Sequence, residues 1–101
     1  MPVGVILLGS SGKIIFSNPA SYRILGIESA DFEGQKLGAF ALHDKRNLDF
    51  VQIIIDAVYN KQALNEALVN YYCNDVCTTI KVNTRFLEEE DANMGVLIML
   101  S

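Results

Sequence analysis

The chain has 101 residues, half of them hydrophobic, with eight Lys or Arg against twelve Asp or Glu and a net charge of −4. That length holds one domain with one core. The acidic balance and the scatter of the basic residues exclude the positive patch that a nucleic-acid surface needs, and an anionic lipid surface repels such a chain.

Residues 4–8 form a short apolar run, ended by the turn signal Gly9-Ser10-Ser11-Gly12. The apolar N-terminus lacks the basic segment of a signal peptide and reads better as a strand. Residues 13–17 are β-prone and make the second strand of a hairpin. Asn18 is a helix cap and Pro19 suits the first helical position, where no amide donor is needed. The helix 19–25 ends at Gly26, placed to adopt the left-handed conformation. Residues 29–33 fit one helical turn, stopped by Gly34.

The longest helical signal runs from Asp44 to Asn60. Leu48, Val51, Ile55 and Val58 recur at spacings of three and four, and Phe50, Ile54 and Ala57 widen that face. Residues 65–86 read as a long hairpin about Asn74-Asp75. A two-residue turn there pairs Cys73 with Val76, Tyr71 with Thr78, Val69 with Ile80 and Ala67 with Val82, which brings the more apolar faces together. Residues 88–93 are a polar connection.

The last strand, 95–100, is apolar on both faces, as is the first. Such strands belong in the middle of a sheet. The two ends of the chain therefore meet at the sheet centre, with the long hairpin on one flank.

These segments together resemble a PAS domain. The resemblance rests on Gly4-Val5-Ile6-Leu7-Leu8, Ser11-Gly12-Lys13-Ile14-Ile15-Phe16-Ser17-Asn18-Pro19-Ala20, Leu25-Gly26 and Asp31-Phe32-Glu33-Gly34-Gln35-Lys36-Leu37. They match the family's strand, "D/G-G-x-I", strand, "N-x-A", helix ending "L-G", and acidic residue before a Gly. The layout of the second half agrees, so the resemblance covers almost the whole chain.

It implies an α+β fold: a five-stranded antiparallel sheet with short helices and one longer helix on one face. It further implies a sensory or interaction module of a signalling protein such as a histidine kinase, cyclase or transcription regulator. The Asp-x-Thr motif that commonly follows the last strand is absent, so residues 1–101 read as a single domain excised from a longer protein whose output domain is a partner. The expected location is the cytoplasm, since two cysteines without a signal peptide indicate a reducing compartment.

Fold does not fix function, so each reactive group is weighed separately. Flavin-binding relatives that form a photoadduct carry a cysteine where this chain has Leu37, which argues against that chemistry. Haem-binding relatives of one type use a histidine on the longer helix. The single histidine here, His43, precedes it and reads as a loop or capping residue, since a metal needs several ligands. Gly9-Ser10-Ser11-Gly12-Lys13 lacks the spacing and following helix of a phosphate loop. Glu88, Glu89, Glu90 and Asp91 lack the alternate spacing of a calcium loop. The hairpin register places Cys73 and Cys77 on opposite faces, which predicts free thiols.

No nucleophile has a plausible base, so no catalytic residue, metal or cofactor is predicted. Phe40, Phe50, Ile54, Val69, Tyr71, Ile80 and Val82 are the candidate lining of a pocket between sheet and longer helix. The expectation is that they fill the core; the alternative is a sensor that binds a small molecule or haem there. The apolar outer face of the first and last strands predicts a homodimer, with Ile6, Leu8, Leu97 and Met99 as candidate contacts.

Overall fold

The computed structural model describes residues 3–9, 11–26, 34–42, 44–60, 62–87 and 95–101, with backbone alone for 39 and 40. The elements are β1 (Gly4–Leu8), β2 (Ile14–Ser17), α1 (Pro19–Leu25), α2 (Leu37–Ala41), a 3-10 turn (Lys45–Asn47), α3 (Leu48–Val58), β3 (Ala67–Cys73), β4 (Val76–Leu87) and β5 (Gly95–Leu100). The strands form one antiparallel sheet in the order β2-β1-β5-β4-β3, with the helices over one face. This is the α+β architecture expected, with β5 central and paired to β1.

The long hairpin has the register its sequence dictates. Cys73 pairs with Val76, Tyr71 with Thr78, Val69 with Ile80 and Ala67 with Val82. Asn74 and Asp75 have φ of 52° and 63°, as a two-residue hairpin turn with the twist of its strands requires. Cys73 and Cys77 lie on opposite faces as free thiols.

α1 also forms as its caps predict. Pro19 opens it, and Gly26 at φ 67° closes it by donating its N–H to the Tyr22 carbonyl. Asn18 does more than cap. Its Oδ1 accepts from both Ser21 N (3.0 Å) and Val5 N (2.8 Å), and its Nδ2 donates to Val3 O (2.9 Å). One side chain thereby starts the helix and extends the β1–β2 ladder.

Three expectations are corrected. The helix expected over 44–60 is a 3-10 turn followed by α3, because Asp44 accepts from Arg46 N and caps the tight turn first. Its buried face is Phe50, Val51, Ile54 and Ala57; Leu48 is 61% and Ile55 37% exposed. Period alone could not place the core within an apolar arc this wide. Finally, α2 was not anticipated, since Leu37-Gly38-Ala39-Phe40-Ala41 has neither a cap nor an amphipathic repeat. The helical turn expected at 29–33 lies outside the described residues.

On each sheet edge, one strand residue is paired by local chain or a side chain: Ile14 on β2 and Tyr72 on β3. Ile14 N donates to Gln35 O (2.8 Å) and Gly34 N to Ile14 O (2.9 Å), so residues 34–36 lie along β2. Lys13, expected in the strand, makes an isolated bridge with Lys36 just beyond it. On the β3 edge the blocking group is the Asn47 side chain. It is fully buried, accepts from Tyr72 N (2.7 Å) and donates to Tyr72 O (3.0 Å) and Ala41 O (3.0 Å). An amide side chain thus takes the place of a neighbouring strand.

Candidate functional site

In an antiparallel ladder, directly paired residues project from the same face. β1 and β5 pair Ile6 with Ile98 and Leu8 with Val96, and all four are buried beneath the helices. The intervening positions project from the other face. One row there is Phe16, Leu7, Leu97 and Arg85; the next is Val5, Met99 and Asn83. Phe16 is 50% exposed, and Val5, Leu7, Leu97 and Met99 are partly exposed.

The candidate dimer contacts therefore divide. Leu97 and Met99 are on the outer face, but Ile6 and Leu8 are core residues, each 0% exposed. The cause is the pleat: with strand period two, Leu97 and Met99 share a face with Val5 and Leu7. The outer surface has a polarity gradient. It is apolar across β2, β1 and β5, and mixed across β4 and β3, where Lys81, Asn83, Arg85, Asn70 and Thr79 project beside Leu68, Tyr72 and Cys77. No described residue forms a layer over the apolar part.

The candidate pocket residues Phe50, Ile54, Val69, Tyr71, Ile80 and Val82 do come together, on the inner face. All are buried in one contiguous cluster. The Phe50 and Tyr71 rings meet edge to face at 5.5 Å between centroids. The Tyr71 hydroxyl donates to Leu25 O (2.8 Å), which ties the end of α1 to the sheet. Burial pushes its phenol above the ordinary tyrosine range, because the charged form is poorly solvated there. The side chain of Phe40, and the whole of His43 and Glu88–Asp91, lie outside the described residues. Among the described residues, no group of three His, Cys, Asp or Glu could hold a metal, and no helix is long and apolar enough to cross a membrane.

A second polar cluster locks the 3-10 turn to the hairpin tip. Arg46 makes two bonds to Asp44 (3.0 and 2.7 Å) and one to Asp75 (3.2 Å), and its guanidinium stacks 4.4 Å from the Tyr72 ring centroid. The bond to Asp44 pushes the Arg46 pKa further up. These contacts seat Asn47 against the backbone of Tyr72. Nothing in the pattern of residues 44–60 signals this role for Asn47, because Tyr72 is 25 residues away in sequence.

The chain is similar in fold to the PAS domain of the fruit-fly ELK potassium channel, with 14% identity over 97% of this chain and 84% of that one and a TM-score of 0.76. It is similar to the Photoactive Yellow Protein domain of the sensor histidine kinase Ppr from Rhodospirillum centenum, with 18% identity over 99% and 91% of the two chains and a TM-score of 0.74. It also matches the E. coli DhaR(N)–DhaL complex at 14% identity and a TM-score of 0.68, covering 99% of this chain but only 31% of that one. No family model and no curated protein matches. The chain has the PAS fold.

Proposed function

We propose that this chain is a non-catalytic sensor or relay domain of a longer cytoplasmic signalling protein, and that it acts as a homodimer joined through the outer face of its sheet. The observation that carries the reading is the pair of apolar rows, Phe16, Leu7, Leu97 and Val5, Met99, with no covering layer among the described residues. Contiguous apolar surface of this kind marks a partner site. Burying it contributes about 25 cal/mol per Å² before association costs. The interface is isologous under two-fold symmetry, with its centre on β1 and β5 and the polar flank of β4 as its rim. Because β5 is the central strand, a change in how two copies pack reaches the inner face through a single strand.

Sedimentation equilibrium over a range of protein concentrations tests this. A dimer that dissociates when Leu97→Glu and Met99→Glu are introduced together supports it. A wild-type chain that stays monomeric at high micromolar concentration overturns it. A visible absorbance band, or a non-covalent adduct in native mass spectrometry, replaces it with a ligand-binding sensor.

A further inference from the structure

α3 carries more apolar surface than the core consumes. Phe50, Ile54 and Ala57 face the sheet, and Val51, Ile55 and Val58 each lie one residue further on, about 100° around the helix axis. That sideways stripe lines a groove of about 290 Å³, whose other wall is Leu42, Gly38 and the turn residues Ser11 and Gly12. Two glycines lie across from the valines, at van der Waals distance for a methyl group. A Cβ added at Gly12 would meet Val58 Cγ1 at 3.9 Å, and one added at Gly38 would meet Val51 Cγ1 at 3.9 Å.

The one charged residue of the lining is Lys36. It is directly opposite Lys13 in an isolated antiparallel bridge, so both side chains leave the same side of the backbone. Like charges placed opposite one another repel. Neither lysine has an ion-pair partner among the described residues, although acids outnumber bases twelve to eight in the chain. An apolar trough thus carries one lysine in its lining, with a second lysine directly opposite that one and no acid paired to either among the described residues.

We propose that this groove binds a small amphipathic carboxylate. Its short apolar chain or ring packs on Val51, Ile55, Val58 and Leu42, and its carboxylate pairs with Lys36, with Lys13 as the second cation. The volume is just below the range for small-molecule sites, roughly 300–1,000 Å³, which limits the ligand to a compact one. The site is on the flank of the helical layer, away from the outer face of the sheet, and does not depend on the dimer proposed above.

The test is a 1H–15N NMR titration of the 101-residue chain with hexanoate, using hexanol as the neutral match. Saturable shifts at Gly12, Gly38, Ile55 and Val58, without shifts at Val5 and Met99, are expected. Hexanoate should bind about fivefold more tightly than hexanol, the effect of one exposed charge pair. Lys36→Gln, at an exposed position, should reduce hexanoate to the affinity of hexanol. Gly38→Leu should abolish both by filling the groove, with Gly38→Ala as the folded control. The proposal is overturned if hexanoate gives no saturable shift in the millimolar range, if it and hexanol bind equally, or if Lys36→Gln changes nothing. It is equally overturned if the groove amides shift with protein concentration alone, which would make a second copy the occupant.

Discussion

Replacing Asn47 is the sharpest test of how this fold protects its β3 edge. The side chain is fully buried and makes three hydrogen bonds, two to Tyr72 and one to Ala41. Asn47→Ala leaves the Tyr72 N–H, the Tyr72 carbonyl and the Ala41 carbonyl without this partner. At a net ~0.5–1.5 kcal/mol for each bond, the loss over three bonds is about 1.5–4.5 kcal/mol, a large share of the ~5–15 kcal/mol that holds a domain of this size. Asn47→Asp is nearly isosteric and separates packing from hydrogen bonding. It still accepts from Tyr72 N–H but turns an acceptor toward two carbonyls that need a donor. Burial and those carbonyls raise the introduced carboxyl's folded pKa above its unfolded value near 4. The protonated form is then the one the fold tolerates, so its stability deficit shrinks as pH falls and grows as pH rises through the folded pKa. Urea unfolding followed by circular dichroism gives both losses, and amide hydrogen exchange reports the Tyr72 N–H directly. A loss below ~1 kcal/mol for Asn47→Ala, or unchanged protection at Tyr72, would refute the assignment of Asn47 as a strand substitute.

Gly26→Ala should destabilise by about 2 kcal/mol, from the left-handed φ of 67° and a Cβ only 2.9 Å from Cys73 Sγ. Adding Cys73→Ala should recover ~0.5–1 kcal/mol of it in a double-mutant cycle, because only the clash is relieved. Tyr71→Phe removes the donor to Leu25 O and should lower stability by ~1–2 kcal/mol in urea titrations. In the wild type the raised Tyr71 pKa makes its contribution complete below the unfolded value near 10 and lost as pH rises through the folded value. Melting temperature should therefore fall more steeply above pH ~10 in the wild type than in Tyr71→Phe. Asn18→Ala should lose ~1–2 kcal/mol and expose the Val5 amide to exchange together with Ser21, whereas a side chain acting as a helix cap alone would leave Val5 protected.

The elements that could be read from sequence are those whose cause is local. α1 is bounded by Asn18, Pro19 and Gly26, and the β3–β4 register follows from period-two alternation about Asn74-Asp75. The expected pocket residues whose side chains are described, Phe50, Ile54, Val69, Tyr71, Ile80 and Val82, also converge, since strand alternation and helix period point them to one side. What could not be read depends on contacts distant in sequence. The apolar arc of α3 is wide enough that its core-facing direction is set by the sheet, not by the helix. Ile6 and Leu97 are apolar alike, and only the pairing of β1 with β5 assigns them to opposite faces. Asn47 looks like any polar residue near a helix start until Tyr72 is folded against it. The outer-face candidates that sequence reasoning missed, Val5 and Leu7, alternate with the residues it chose, so period two signals them once the inner face is known.

The pairing of Gly4 with Leu100 has a mechanical consequence. Chain on the N-terminal side of one and on the C-terminal side of the other leaves at the same end of two neighbouring strands, past Val3, held by Asn18, and Ser101, held by Lys81. Tension across these positions loads the β1–β5 ladder at its end, so pairs part in succession from Gly4–Leu100 inward, as a zipper does, and the whole ladder is never sheared at once. Such a joint yields to small forces and recloses from its intact end. Torque delivered by a flanking segment is likewise felt first at the Val3–Asn18 and Ser101–Lys81 bonds just outside this pair.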